Sequence, residues 1–101
     1  ALSRHQLRES VAHAYRTNSR LTEASVSPET MPALLALLIQ GSLPRTEFVT
    51  FTGLPRESAS DQLNRLLNLG IVVSPPYNLQ RLEVGLPNWF AQDLLPDFHL
   101  A

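Results

Sequence analysis

Gly53 and Pro55 stand two residues apart between two stretches of helical periodicity, and this punctuation limits the choice of fold more than any other feature. Glycine tolerates the positive φ of a tight inter-helix turn. Proline presets φ for the first turn of a following helix. Downstream, Ala59, Leu63, Leu66 and Leu67 recur at i, i+4, i+7 and i+8, one apolar helical face. Gly70 supplies the stop. Ile71, Val72 and Val73 form a β-branched run that reads as a strand. Leu82, Val84 and Leu86 alternate with Arg81, Glu83 and Gly85, as a half-buried return strand does. Between them Ser74-Pro75-Pro76-Tyr77-Asn78 can continue neither strand. A short helix ahead of Gly53, then turn, helix and hairpin in this order, predicts a winged helix-turn-helix.

The flanking segments extend this frame. Ser3 and Gln6 are spaced as a capping box, and Leu7, Val11, Ala14 and Tyr15 follow helical spacing. The same helix carries Arg4, Arg8, Arg16 and Arg20 on its outer face, a solvated charge run in the plainest reading. Ser27 with Pro28 marks another helix start, with Glu29 favourable to the dipole. Pro32 argues for a later start, with Thr30 as the alternative cap. Met31, Leu34, Leu35, Leu37, Leu38 and Ile39 leave this helix only a narrow polar side, so it is expected at the centre of the core, closed by Gly41. Asn88 is expected to cap a short terminal helix holding Trp89, Phe90, Leu94 and Leu95, stopped by Pro96. The two aromatic rings are expected to pack this tail onto the sheet or the first helix.

The predicted fold class is mainly α (α+β): a winged helix-turn-helix with an extra N-terminal helix, a two-stranded wing and a short C-terminal helix. Helices are expected over residues 3–22, 28–40, 45–52 and 56–69, with a hairpin at 71–74 and 79–84. Leu35, Leu38, Leu63, Leu66 and Ile71 are expected to be nearly fully buried. The expected division is a connector helix at 1–25, the winged domain at 26–98 and a tail at 99–101.

Composition bounds the function. With 101 residues the chain has room for one core. There is no cysteine, which rules out disulfides and thiolate metal sites and fits a cytoplasmic setting. No apolar run approaches the ~18 residues of a membrane span, and no membrane partner is expected. The first residue is Ala1 rather than Met, as in a piece of a longer protein. All 8 basic residues are arginines against 9 acids, for a net charge of −1, whereas duplex-binding domains are usually basic.

No catalytic constellation emerges. The 4 glycines do not cluster into a phosphate loop. His5 and His13 lie eight apart, without the His-x-x-x-His or cysteine spacing of a metal site. Asp93, Asp97 and His99 lie near the C-terminal end of the chain, where such groups are usually solvated. The chain is therefore expected to be non-enzymatic, without cofactor or metal.

Several runs carry a resemblance: Gly41-Ser42-Leu43-Pro44-Arg45, Thr52-Gly53-Leu54, Leu66-Leu67-Asn68-Leu69-Gly70-Ile71-Val72-Val73-Ser74, and the pairs Leu86-Pro87 and Leu95-Pro96. Together they resemble the C-terminal winged-helix module of Fic (filamentation induced by cAMP) proteins, over roughly residues 26 to 98. The sequence departs from that pattern at Val72, where leucine is more usual. The resemblance implies an accessory domain beside an AMP-transferring catalytic domain, with the first helix as connector. It brings no catalysis, because the family's His-Pro-Phe-x-x-Gly-Asn-Gly-Arg loop is absent.

Two functions from different classes follow. One is a nucleic-acid-binding accessory domain contacting duplex DNA through Arg45, Arg56, Asn64, Arg65, Asn68 and Arg81. Asn64, Arg65 and Asn68 lie on the outer side of the second helix as base readers, and Arg45, Arg56 and Arg81 serve phosphates. Glu57 and Asp61 on that side oppose DNA, and Asp61 is spaced to pair with Arg65. The alternative is a protein-interaction module that docks the Fic catalytic domain, a second copy in a homodimer, or the modification target.

Overall fold

In the computed structural model, which describes residues 3–95, the glycine stops fall at helix ends. Gly53 takes φ +66° between α4 (Arg45–Thr52) and α5 (Arg56–Leu69). Gly70 takes φ +80° after α5. Nothing crowds Gly53, so conformation rather than space calls for glycine there. Beyond Gly70 come β2 (Val72–Val73) and β3 (Arg81–Val84), a shorter hairpin than the expected 71–74 and 79–84. The wing's prolines and turns occupy the remainder.

The chain opens with α1 (Arg4–Thr17), started by the expected capping box: Ser3 Oγ accepts from Gln6 N–H while Gln6 Oε1 accepts from Ser3 N–H. The single helix expected over 3–22 is broken at Asn18. Its backbone is extended and its side chain accepts from Arg20 N–H, so it caps a separate α2 (Ser19–Glu23). Asparagine competes with helical backbone in this way, and Asn18 Nδ2 also donates to Asp93 Oδ2 at 2.5 Å. The stretch 28–40 likewise divides. Ser27 caps a 3₁₀ turn (Pro28–Thr30), and α3 runs Met31–Gln40 with Pro32 inside its first turn. Thr30 gives α3 no side-chain cap: its backbone is already helical, with φ −76° and ψ −13°, and its hydroxyl donates back to the Ser27 carbonyl at 2.7 Å.

A third strand went unpredicted. β1 (Ser42–Pro44) pairs antiparallel with β3, Leu43 opposite Leu82, giving the sheet order β1-β3-β2. Pro44 is tolerated because β1 is an edge strand. The last helix, α6 (Asn88–Leu94), begins after Pro87 as N-cap, so Asn88 lies inside it rather than capping it. Pro96, Asp97 and His99, like the tail 99–101, lie outside the described residues. The architecture is that of a winged helix-turn-helix: α3, α4 and α5 with a small three-stranded sheet, extended by α1 and α6 packed together.

Burial agrees with expectation on α5 and the strand start: Leu63, Leu66 and Ile71 are buried. On α3 the face is different. Leu34 and Leu37 are fully buried, whereas Leu35 and Leu38 are only partly covered. A helix apolar nearly all round carries no periodic signal to choose its innermost side. Phe90 is buried, and Trp89 meets it edge-on with centroids 5.8 Å apart while Arg20 lies over the indole at 5.2 Å. The terminal helix is thereby held to the first helical pair, as the aromatic pair predicted.

Tyr15 fastens α1 to the 3₁₀ turn. Its hydroxyl lies 2.6 Å from Thr30 Oγ1. Since Thr30 spends its own proton on Ser27, Tyr15 is the donor. Burial pushes the Tyr15 phenol from an ordinary 10.0 up to about 12. Because the folded value is raised, its contribution to stability is complete below pH 10.0 and is lost as pH rises through about 12. Urea midpoints should fall across that window, and Tyr15→Phe should flatten the fall. A Tyr15→Phe curve parallel to wild type would show that this phenol is not responsible.

Candidate nucleic-acid interface

The six residues expected to contact nucleic acid lie around the second helix and the wing, but the structure gives them different surroundings. Arg45 begins α4 and reaches the wing. Its Nε donates to the Leu79 carbonyl and its Nη2 to Ser74 Oγ, each at 3.1 Å, and its backbone N–H donates to the Gln80 carbonyl at 2.7 Å. Both legs of the wing are thus tied to the start of the helix-turn-helix. Arg81 Nη2 donates to Ser42 Oγ at 2.8 Å, linking β3 to β1.

Arg65 makes the predicted i, i+4 ion pair, Nε to Asp61 Oδ2 at 3.0 Å. Its Nη1 also donates to the Ala24 carbonyl at 2.8 Å. Beside it Gln62 accepts from Ser27 N–H at 2.7 Å and donates to the Ser25 carbonyl at 3.2 Å. Ser25 is the only non-glycine with positive φ among the described residues, at 56°. Side chains from α5 therefore fasten this bent connection between α2 and the 3₁₀ turn. Sequence periodicity placed Arg65 outward but carried no signal for a backbone carbonyl 41 positions away.

Arg56, Asn64 and Asn68 are exposed and make no side-chain hydrogen bond among the described residues. Arg56 and Arg45 line one cleft with Thr46, Thr50, Ser60 and Gln80, between the starts of α4 and α5 and the wing. The cleft has a volume of about 660 Å³. The Thr46 and Ser60 hydroxyls and the Gln80 amide can donate to phosphate oxygens or read base edges, while the Thr50 hydroxyl already donates to the Thr46 carbonyl at 3.0 Å. Thr46, Thr50 and Ser60 could have been placed here from helical spacing. Gln80 could not, since only the wing's fold brings it across. Glu57 remains an exposed acid on the same helix, while Asp61 is occupied by Arg65.

Among the described residues no three His, Asp or Glu side chains gather as a metal site, and no helix is long and apolar enough to cross a membrane. Compared with family models, curated proteins and solved structures, the chain finds no match in any of the three.

Proposed function

We propose that this chain is a non-catalytic winged-helix accessory domain that contacts duplex DNA through the cleft between α4, α5 and the wing. The observation that carries the reading is the convergence of Arg45 and Arg56 with Thr46, Thr50, Ser60 and Gln80 on one cleft, with the exposed amides of Asn64 and Asn68 following Ser60 along α5 at helical spacing. The motif runs shared with Fic tails extend the proposal to an accessory module of an AMP-transferring protein, working in the cytoplasm.

Arg56 is the cation best placed to meet a phosphate, since Arg45, Arg65 and Arg81 already hold protein partners. Anisotropy titrations of a labelled duplex at ~50 mM and ~200 mM salt test this. Arg56→Ala should weaken all sequences alike and lower the salt slope by about 0.9, one phosphate's worth. Glu57→Gln with Asp61→Asn should tighten binding by removing repulsion and loosening the hold on Arg65. Titration up to ~100 µM protein covers the range of non-specific affinities. Absence of binding at ~50 mM salt by both wild type and the double variant sinks the DNA reading.

A second reading has its own observation. Ala12 of α1, Met31, Leu35 and Ile39 of α3, and Phe51 of α4 line an open apolar groove of about 630 Å³, with Ile39 and Phe51 over two-fifths exposed. Such a surface suits a protein partner: the catalytic domain, a second copy or the modification target. Under this reading the double variant leaves duplex binding absent and Phe51→Asp disrupts docking.

A further inference from the structure

α3 is apolar on nearly every side, and a helix of that kind is normally covered all round. Here the core covers its inner side, at Leu34 and Leu37. The outer stripe is left open: Leu35 is only half-buried, and Ile39, one turn further on, is exposed. Because α1 and α4 both pack against α3, this stripe becomes the floor of the apolar groove that Ala12 and Phe51 border. Phe51 stands at that border more than two-fifths exposed, while Ala12 and Ala36 contribute little bulk. The same face therefore offers both a projecting ring and the room to receive one.

The rims of the groove carry charges of opposite sign. Arg8 lines it from α1, one turn before Ala12. Glu47 lies on α4, one turn before Phe51. Both are exposed, and neither makes an ion pair or a side-chain hydrogen bond among the described residues. A face with an unpaired cation on one side of an apolar stripe and an unpaired anion on the other is complementary to itself. Turned by half a revolution about that stripe, it meets opposite charge at both rims. A net charge of −1 adds little repulsion between two copies.

We propose that the groove is the contact surface of a two-fold homodimer. Leu35 and Ile39 of the two copies meet near the axis, and Phe51 of each enters the other's groove beside Ala12. Arg8 of each copy then pairs with Glu47 of the other. The proposal rests on the protein-contact reading of the groove and names its occupant, a second copy of this chain; it takes nothing from the DNA reading. Apolar packing supplies the affinity, and the two ion pairs at the rim fix the register.

Sedimentation velocity between ~5 and ~500 µM chain tests this, since a dimer's population follows mass action. The weight-average mass should rise from 11.2 kDa toward twice that value. Phe51→Asp should remain a monomer throughout. Arg8→Glu should weaken association roughly tenfold, because it sets like charges against each other at both rims, and Glu47→Arg should do the same. Mixing these two variants should restore wild-type association, since both rims again join opposite charges; mixing repairs no folding defect. A wild type that stays monomeric, single variants that associate like wild type, or a mixture no tighter than its parts overturns the two-fold contact. Binding of anilinonaphthalene sulfonate, a dye that reports exposed apolar surface, then separates this failure from that of the wider reading. A monomer that binds the dye, and loses it on Phe51→Asp, keeps a groove open for a different protein. A monomer that ignores the dye removes the protein-contact reading as well.

Discussion

Phe48→Ala should cost about 3–5 kcal/mol, whereas Phe51→Ala, three residues along the same helix, should cost about 1 kcal/mol or less. Phe48 is fully buried in the cluster that joins α3, α4, α5 and the sheet, while Phe51 is 44% exposed at the open apolar groove. Truncating the first removes an aromatic ring from close packing and leaves a cavity the helices cannot fill without losing their other contacts. Truncating the second mainly returns half-hydrated surface to water. For a domain of this size the first loss corresponds to a fall in melting temperature of roughly 15 °C or more. Urea denaturation followed by far-ultraviolet circular dichroism gives both numbers. Equal costs at the two positions would mean that α4 presents a different face to the core.

Gly85→Ala should cost about 3 kcal/mol, through space rather than backbone conformation. Its φ lies outside the left-handed region, yet an added Cβ would run into the Gly70 carbonyl oxygen, with Val73 Cγ2 2.8 Å away and the Gly70 carbonyl carbon 3.3 Å away. The obstructing atom is backbone at the end of α5 and cannot rotate aside. The strand must move, stretching the Gly85 N–H bond to the Ile71 carbonyl, now 2.9 Å. Overpacking of about 1–3 kcal/mol and a weakened hydrogen bond of about 1 kcal/mol then add. Gly53→Ala is the control, since it has open space and positive φ, and should cost only about 1–2 kcal/mol. If Gly53→Ala proved the more damaging, close approach at Gly85 would not be the governing constraint. Proton-amide spectra of the Gly85 variant should show the largest shifts at Ile71 and Gly70.

How much of this could be read from the chain depended on whether the signal was local. Gly53 and Gly70 were legible because a positive φ is a property of one residue, and α5 because four apolar residues repeat on one face. The Asp61–Arg65 pair was legible because i, i+4 spacing fixes the neighbours. β1 was not, since three residues ending in proline carry no alternation and take their strand character from the distant β3 residues Arg81 to Glu83. The inner face of α3 was hidden by an excess of signal, with leucine on nearly every side. The candidate cleft divided in the same way. Arg45 and Arg56 were identifiable from their place at helix starts, whereas the bonds that tie Arg45, Arg65 and Arg81 to distant carbonyls and hydroxyls belong to tertiary geometry.

The sheet order also sets a timetable for the chain as it is synthesised. β3 is the middle strand, with β1 on one side and β2 on the other, and it is made last. Until it emerges, β1 has no ladder to join, and Leu43, Val72 and the inner side of α3 wait without the strand that covers them. Elongation at about 5–20 residues per second makes that wait one of seconds, far longer than helix formation or hairpin closure. A stalled chain ending before Arg81 would therefore hold α3, α4 and α5 as a loose, protease-sensitive helical cluster. Release of the next few residues would lock sheet, wing and helix-turn-helix together in a single step.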